Sequence, residues 1–215
     1  MKTVLVGDLH GHTYWLPSLR KLHSDAHQII LVGDVGIGFS ETADAHLELY
    51  AKTIDKPPYF RFIRGNHDNP HKVKEFRHPG FSYIPDGTIE DGIMYVGGAW
   101  SIDGVTGAWP NTRVTGVDWW PEEELSREEW DDILRLPNLG SVHTVVSHDC
   151  PSEVTTRLLP GRKIYNTRTG EGLSMLWEAL PNVKNWYFGH YHVNAEIKLG
   201  GVTFRCLNEG TQVAL

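Results

Sequence analysis

The segment YFRFIRGNHD, residues 59–68, joins an apolar run to a short polar motif. Its first half, Tyr59–Ile63, is rich in aromatic and branched residues and predicts a buried strand. Gly65 follows almost at once and permits a tight turn, in which the backbone can approach a ligand closely. Ligand sites in open α/β sheets lie beyond the carboxyl ends of the strands. The segment therefore predicts a strand that places the Asn-His-Asp of its motif at such a site.

Four other apolar runs end in the same way, at a polar motif that begins with or lies next to a small residue. They are Thr3–Val6 before Asp8-x-His10, Gln28–Val32 before Gly33-Asp34, Val142–Val146 before Ser147-His148, and Asn185–Phe188 before Gly189-His190-x-His192. Loops that follow neighbouring parallel strands meet at one edge of a sheet, so we expect the five motifs to converge on one site.

The remaining periodicity predicts the rest of the fold. Further strands are expected at Ile93–Val96, Ala195–Leu199 and Val202–Leu207, with Gly200-Gly201 as a hairpin turn, and helices at Tyr14–His23, at Ala43–Thr53, from Pro121 onward and at Leu173–Leu180. Alternating strands and helices followed by consecutive strands indicate an α/β fold. We expect a single domain over residues 1–215, built as a four-layer α/β/β/α sandwich of two mixed sheets flanked by helices.

Composition limits the class of protein. The formal net charge of −7 lacks the basic excess with which duplex-binding proteins neutralise phosphates. Cys150 and Cys206 are the only cysteines, which indicates a reducing compartment rather than a disulfide framework. The first apolar run is too short for a signal peptide, and no run approaches the ~20 residues of a transmembrane helix. We expect a cytoplasmic protein with no membrane partner.

The polar motifs suit a pair of divalent metals. Imidazole and carboxylate ligands together are typical of Mn, Fe, Zn, Ni or Co sites. In Asp8-x-His10 and His190-x-His192, an extended backbone sends residues two apart to the same side, so both members can face one cluster. Two metals about 3.5–4 Å apart need a bridging carboxylate, and a water between them becomes a nucleophile near neutral pH. This chemistry is typical of phosphoester hydrolysis.

The five motifs, in this order, resemble those of the calcineurin-like metallophosphoesterases, D-x-H, G-D, G-N-H-(D/E), H and G-H-x-H. The resemblance extends from Asp8 to His192 and implies a dinuclear site, for which manganese is the expected metal. The implied ligands of one metal are Asp8, His10, Asp34 and His192, and those of the other are Asp34, Asn66, His148 and His190, with Asp34 bridging. The resemblance also implies a metal-bridging hydroxide as nucleophile, His67 as the group that contacts phosphate and protonates the leaving oxygen, and Asp68 as the residue that orients His67.

The second motif separates branches of this family. Ser/Thr protein phosphatases carry G-D-x-V-D-R-G there, whereas this chain reads GDVGIG over residues 33–38 and lacks the arginine that would grip the substrate phosphate. This departure and the two histidines of Gly189-His190-x-His192 make the chain more similar to the small phosphodiesterase-like members, among which it resembles single-domain proteins of bacteria and phages. We therefore expect a phosphodiesterase on nucleotides, cyclic nucleotides or nucleic-acid ends. A broad-range phosphomonoesterase and a non-catalytic metal-binding module are the alternatives.

The segment Ser101–Trp120 is the expected substrate loop, because it is long, rich in Gly, Trp, Asp and Thr, and without periodicity. Trp109, Trp119 and Trp120 are candidates for stacking on a flat group of the substrate, and Arg113 is a candidate for holding its phosphate. The alternative interpretation is a loop that its tryptophans anchor to the core.

Overall fold

The computed structural model describes residues 1–104 and 112–215, so Trp109 of the expected substrate loop lies outside the described residues. In chain order the strands are β1 (Thr3–Val6), β2 (Gln28–Val32), β3 (Tyr59–Ile63), β4 (Arg77–His78), β5 (Phe81–Tyr83), β6 (Thr88–Glu90), β7 (Ile93–Val96), β8 (Thr144–Ser147), β9 (Asn185–Phe188), β10 (Ala195–Leu199), β11 (Val202–Cys206) and β12 (Gln212–Ala214). The α-helices are α1 (Leu16–Leu22), α2 (Glu41–Ala51), α3 (Pro70–Glu75), α4 (Arg127–Leu134), α5 (Ser152–Leu158) and α6 (Arg168–Ala179).

The strands form two mixed sheets of six strands each. The first has the order β12-β1-β2-β3-β5-β4 and the second the order β10-β11-β9-β8-β7-β6. In the first sheet β1, β2, β3 and β5 run parallel, while β12 and β4 are antiparallel to their neighbours. In the second sheet β7, β8, β9 and β11 are parallel, and β6 and β10 are antiparallel at the edges. The parallel strands at the centre of each sheet bring their carboxyl ends to one side.

The sheets pack face to face, and helices cover their outer faces. Strand β1 illustrates the layers, because Leu5 packs between the sheets while Val4 and Val6 pack on the helix side. A strand that is buried on both faces has an unbroken apolar sequence, which is the pattern that made β1 recognisable. The helices contribute Leu16, Leu19 and Leu47 to the core of the first sheet and Trp130, Val154 and Leu173 to that of the second. The predicted four-layer α/β/β/α arrangement is therefore confirmed.

Most predicted strands have the expected bounds, whereas the predicted helices differ from theirs, α6 most clearly, since it begins at Arg168 after the capping residue Thr167 rather than at Leu173. Strand β8 begins at Thr144 rather than Val142, since a 3₁₀ turn occupies Leu139–Ser141 just before it. Pro121 begins only a 3₁₀ turn, and the longer helix α4 starts later, where Ser126 and Glu129 form a capping box. Strands β4, β5, β6 and β12 were not predicted, because two or three residues are too few to show a period. Helices α3 and α5 were also not predicted.

None of the helices in the described part of the chain has the length and hydropathy needed to cross a bilayer.

Candidate dinuclear metal centre

The five motifs lie at the carboxyl ends of β1, β2, β3, β8 and β9, where the two sheets meet. Four of the predicted ligands, Asp8, His10, Asp34 and His192, have donor atoms within 4.8 Å of one another. The Nε2 atoms of His10 and His192 are 2.8 Å apart. The Nε2 of His192 lies 3.4 Å from Asp8 Oδ2, and that of His10 lies 3.7 Å from Asp34 Oδ2. These donors surround one point and form the first half of the candidate centre.

The other predicted ligands form an adjoining group. His148 Nε2 lies 3.3 Å from Asp34 Oδ1 and 3.2 Å from Asn66 Oδ1. His190 Nδ1 lies 3.0 Å from the same Asn66 oxygen. Asp34 thus directs Oδ2 toward His10 and Oδ1 toward His148, which is the position that a bridging carboxylate needs.

The hydrogen bonds of His148 leave its Nε2 directed at the centre. Its Nδ1 lies 2.8 Å from the carbonyl oxygen of Val32, to which the ring can donate. A bond of this kind on the second nitrogen sets the tautomer and orientation of metal-binding histidines.

The backbone at these residues is held in an uncommon conformation. Among the described non-glycine residues, five have a positive φ, and four of them are His10, Asp34, His190 and His192, at 46°, 48°, 65° and 51°. This left-handed region costs non-glycine residues about 1–3 kcal/mol each and is found where a function requires it. The fold therefore maintains strain at the residues that carry the candidate ligands.

Asp8 provides a direct test of whether the site suits a cation. Its carboxyl group is fully buried, and Oδ1 has no hydrogen-bond partner among the described residues. Its other oxygen accepts a hydrogen bond from the backbone N–H of His190 at 3.0 Å. A buried carboxylate oxygen with no partner is costly unless a cation or donor compensates it. The donor set therefore fits divalent metal.

The electrostatics of the second half lead to the same conclusion. Burial by itself lowers the pKa of His148, but the neighbouring carboxylates of Asp34 and Asp8 outweigh burial and raise that pKa to about 10. Burial also opposes ionisation of Asp34, yet the imidazoles of His148, His67 and His10 hold its pKa below the ordinary value. A buried site that attracts a proton this strongly also attracts a metal cation, which competes with the proton for the imidazole nitrogen.

Gly189 allows the Asp8 carboxylate to take its position, because a Cβ at residue 189 would overlap Asp8 Oδ1. We expect Gly189→Ala to displace that carboxylate and to weaken Mn²⁺ binding by roughly 10–100-fold, the range found when the support of a ligand is lost. The affinity can be measured by competition with a chelating dye. Gly140→Ala is the matched control, since a Cβ there meets nothing within 4 Å. Wild-type affinity in Gly189→Ala would mean that Asp8 is not a ligand.

Asp68 contacts the backbone rather than the His67 ring. Its oxygens accept hydrogen bonds from the amides of Gly65 at 2.8 Å, Gly36 at 2.7 Å, Ile37 at 2.9 Å and Val35 at 3.2 Å. Among the described residues no hydrogen bond joins Asp68 to His67. The contact through which Asp68 was expected to orient His67 is therefore absent. The oxygens of Asp68 instead accept hydrogen bonds from three N–H groups of the loop after β2. Asp68 instead ties the second and third motifs together.

His67 and Arg113 meet at the edge of the centre. Arg113 Nη2 donates to His67 Nε2 at 3.0 Å and also contacts Asp103 at 2.9 Å. Burial outweighs the opposing charge of Asp34 and, with Arg113 nearby, lowers the pKa of His67 to about 4. In this arrangement His67 is neutral and accepts the hydrogen bond. Both side chains line a cleft of about 530 Å³ together with Asp34, Asn66, Ile102, Asp103, Thr112, His190 and His192.

The two predicted stacking tryptophans that the structure describes, Trp119 and Trp120, do not line this cleft. Trp119 and Trp120 are buried, with 6% and 3% of their surface exposed. A Cβ on Gly104 would overlap the Trp119 indole, so that ring is packed against the loop backbone. Stacking on a substrate needs an exposed ring face, and the prediction for Trp119 is therefore wrong. Both rings match the alternative interpretation of a loop anchored to the core.

A buried chain of hydrogen bonds behind Asn66 could not be predicted from the motifs. Asn66 Nδ2 donates to Ser101 Oγ at 3.0 Å, and Ser101 Oγ donates to Glu123 Oε2 at 2.6 Å. These bonds direct the amide nitrogen of Asn66 away from the centre and its Oδ1 toward His148 and His190. The three residues lie far apart in the sequence, and only the folded chain brings them together.

Comparisons with known proteins bear on the fold and the family of the chain. No curated protein matches the sequence. Solved structures with a similar fold include phosphopantetheinyl hydrolase from Mycobacterium tuberculosis, 14% identical with a TM-score of 0.52 over 97% of this chain and 90% of that one. A dimetal phosphatase from Danio rerio is 11% identical with a TM-score of 0.55, covering 97% of this chain and 87% of that one. A putative 5′-nucleotidase from Staphylococcus aureus is 14% identical with a TM-score of 0.55, covering 100% of this chain and 50% of that one.

At these identities the structural likeness shows the fold alone. The sequence model of the calcineurin-like phosphoesterases, however, matches residues 1–194, which include all five motifs. The chain therefore belongs to the calcineurin-like phosphoesterases and is a metal-dependent phosphoester hydrolase of that dinuclear family.

Proposed function

We propose that the chain hydrolyses phosphodiesters of nucleotides, cyclic nucleotides or nucleic-acid ends, with manganese as its metal. The observation that supports this proposal is a pair of recesses that adjoin the proposed metal ligands. One is the cleft under Arg113, and the other is a cavity of about 300 Å³ beside it. Ile102 and His190 line both recesses. A diester has an organic group on each side of its phosphorus and therefore suits two adjoining recesses.

The charge in the cleft also favours a diester. A diester phosphate carries a single negative charge, whereas a monoester carries about two near neutral pH. Arg113 supplies a guanidinium to the cleft, and the acidic side chain of Asp103 contacts the same group. The arginine of the protein phosphatases is missing from the second motif. This modest positive charge, added to that of the metals, supports a diester over a monoester and disfavours a phosphoprotein substrate.

When bound, two divalent ions would supply Lewis acidity toward the phosphate and a water activated near neutral pH. The side chains that would hold them are Asp8, His10, Asp34, Asn66, His148, His190 and His192. Arg113 would donate to a non-bridging phosphate oxygen, which is a stronger acceptor than an imidazole. That shift would release Nε2 of His67, which could then hold a proton and donate it to the leaving oxygen.

We expect the Mn²⁺-loaded chain to cleave bis-(p-nitrophenyl) phosphate with a kcat/KM roughly tenfold above that for p-nitrophenyl phosphate, the size of discrimination that one good subsite provides. The release of p-nitrophenolate measures both reactions, and a chelator that removes the metal should abolish hydrolysis of both substrates. The reverse preference would identify a phosphomonoesterase. If a chain shown by metal analysis to be fully loaded cleaves neither substrate, the proposed phosphodiesterase activity is wrong.

A further inference from the structure

The second recess lies between the loop after α5 and the carboxyl ends of the second sheet. Trp100, Asp149, Tyr165 and Tyr191 line it, and His190 connects it to the metal ligands. Its volume of about 300 Å³ lies at the lower end of the range for small-molecule sites. An organic group attached to a phosphate at the metal centre could therefore enter this recess, which we call the side cavity.

Two aromatic rings form a wall of the side cavity. The ring centroids of Trp100 and Tyr165 are 5.1 Å apart at an interplanar angle of 42°, and both side chains are half-buried. Lys163 Nζ stands 4.8 Å from the centroid of the Tyr165 ring, and the exposed Arg162 lines the same cavity. Aromatic surfaces with cations beside them are the features with which proteins bind bases and the phosphates attached to them.

Asp149, an acid for which the sequence indicates no role, is the carboxylate that lines the side cavity. Its Oδ1 accepts hydrogen bonds from the Cys150 amide and the Tyr191 hydroxyl, each at 2.7 Å. The Tyr191 oxygen also lies 3.0 Å from Thr155 Oγ1, so the carboxylate is held in place. Asp149 is 3% exposed and lines the side cavity, and among the described residues no hydrogen bond is made to its Oδ2. This oxygen can therefore accept a hydrogen bond from a donor group in the cavity.

We propose that the side cavity binds a nucleobase with an exocyclic amine, which stacks on Trp100 and Tyr165 and donates an N–H to Asp149. A carboxylate can only accept hydrogen bonds, so it selects a base that presents a donor and disfavours one that presents a carbonyl. The inference rests on the proposed function for the position of the phosphate at the metals. It goes beyond that function by naming the residues that recognise the base and the class of base that they select.

The test is binding of nucleotide phosphonates to the Mn²⁺-loaded chain, measured by isothermal titration calorimetry. In these analogues a C–P bond replaces the ester bond, so they remain intact. We expect the adenosine analogue to bind roughly tenfold more tightly than the purine riboside analogue, which lacks only the amine, since hydrogen bonds to charged groups commonly contribute this much. Trp100→Ala should weaken binding of the adenosine analogue by roughly tenfold through the loss of stacking. Tyr14→Ala removes an exposed ring elsewhere and should change nothing.

The Asp149→Asn variant tests directly whether residue 149 selects the base. Asparagine retains an oxygen for Cys150 and Tyr191 but replaces the second acceptor with an N–H₂ donor. We expect this variant to prefer the inosine analogue, which presents a carbonyl, over the adenosine analogue, and so to reverse the wild-type order. If a phosphonate of ribose alone binds as tightly as the adenosine analogue, the base does not use the cavity and the inference is wrong. An unchanged order in a folded Asp149→Asn variant would also overturn it.

Failure of the proposed function would be visible separately, as an absence of bis-(p-nitrophenyl) phosphate hydrolysis by the same loaded protein. The calorimetric comparison does not depend on turnover and decides the inference in either case.

Discussion

Replacing Asp34 with asparagine is expected to lower the turnover of bis-(p-nitrophenyl) phosphate by about 10³-fold or more. Asp34 is the residue whose two oxygens face different halves of the centre, with Oδ2 at 3.7 Å from His10 and Oδ1 at 3.3 Å from His148. Asparagine has nearly the same shape but turns one of these acceptors into a donor and removes the charge. Metal ions contribute several kcal/mol to such reactions, and each ~1.4 kcal/mol corresponds to a tenfold change in rate.

The same substitution should lower the amount of Mn²⁺ bound per chain at both halves, which elemental analysis after dialysis can measure. Asp132→Asn is a matched control, because that carboxylate is exposed on α4, a helix that carries none of the proposed ligands. Asparagine keeps nearly the same shape at this buried position, and circular dichroism of the metal-free variant checks that it remains folded. Near-normal turnover or full metal content in Asp34→Asn would exclude the bridging role.

The convergence of the five motifs could be predicted because each of them follows a strand that the sequence identifies by itself. In the run Thr3–Val6 the residues from Val4 onward are apolar because both faces of β1 are buried, and Gly7-Asp8-x-His10 follows the run. The side of the sheet on which a loop emerges follows from strand direction, which fixes the meeting point of all five motifs. The motifs do not reveal the backbone conformation of the site, such as the positive φ of His190.

The substrate-facing surfaces could not be predicted because they depend on contacts between distant segments. Trp119 belongs to a sequence segment that looks suited to stacking, yet the fold buries it. Trp100 and Tyr165 are 65 positions apart and carry no shared pattern, but their rings form a wall of the side cavity. Ser101 likewise supports Asn66 only after the chain has folded. Local periodicity reports which face of an element is buried, and it carries no information on which loops lie side by side.

His67→Ala is expected to leave Mn²⁺ binding intact and to lower turnover of a dinucleotide, whose leaving group is an alkoxide, by roughly 10²–10⁴-fold, the usual contribution of a general acid. The metal content should persist because His67 lies beside the ligands without belonging to either group, with its ring centroid 4.8 Å from that of His10. Exposed His71 offers a matched control in His71→Ala.

The leaving group distinguishes proton donation by His67 from a second interpretation, in which His67 only positions Arg113. A p-nitrophenolate needs little protonation, so the loss in His67→Ala should be much smaller for bis-(p-nitrophenyl) phosphate than for the dinucleotide. The second interpretation has a structural basis, because Arg113 Nη2 donates a hydrogen bond to His67 Nε2 at 3.0 Å. Glutamine can accept that hydrogen bond but cannot act as an acid. If His67→Gln restores turnover of the dinucleotide, or if His67→Ala loses equally on both substrates, His67 serves phosphate binding through Arg113. If His67→Gln does not restore turnover of the dinucleotide, and the loss in His67→Ala is larger for the dinucleotide than for bis-(p-nitrophenyl) phosphate, His67 is the group that donates the proton.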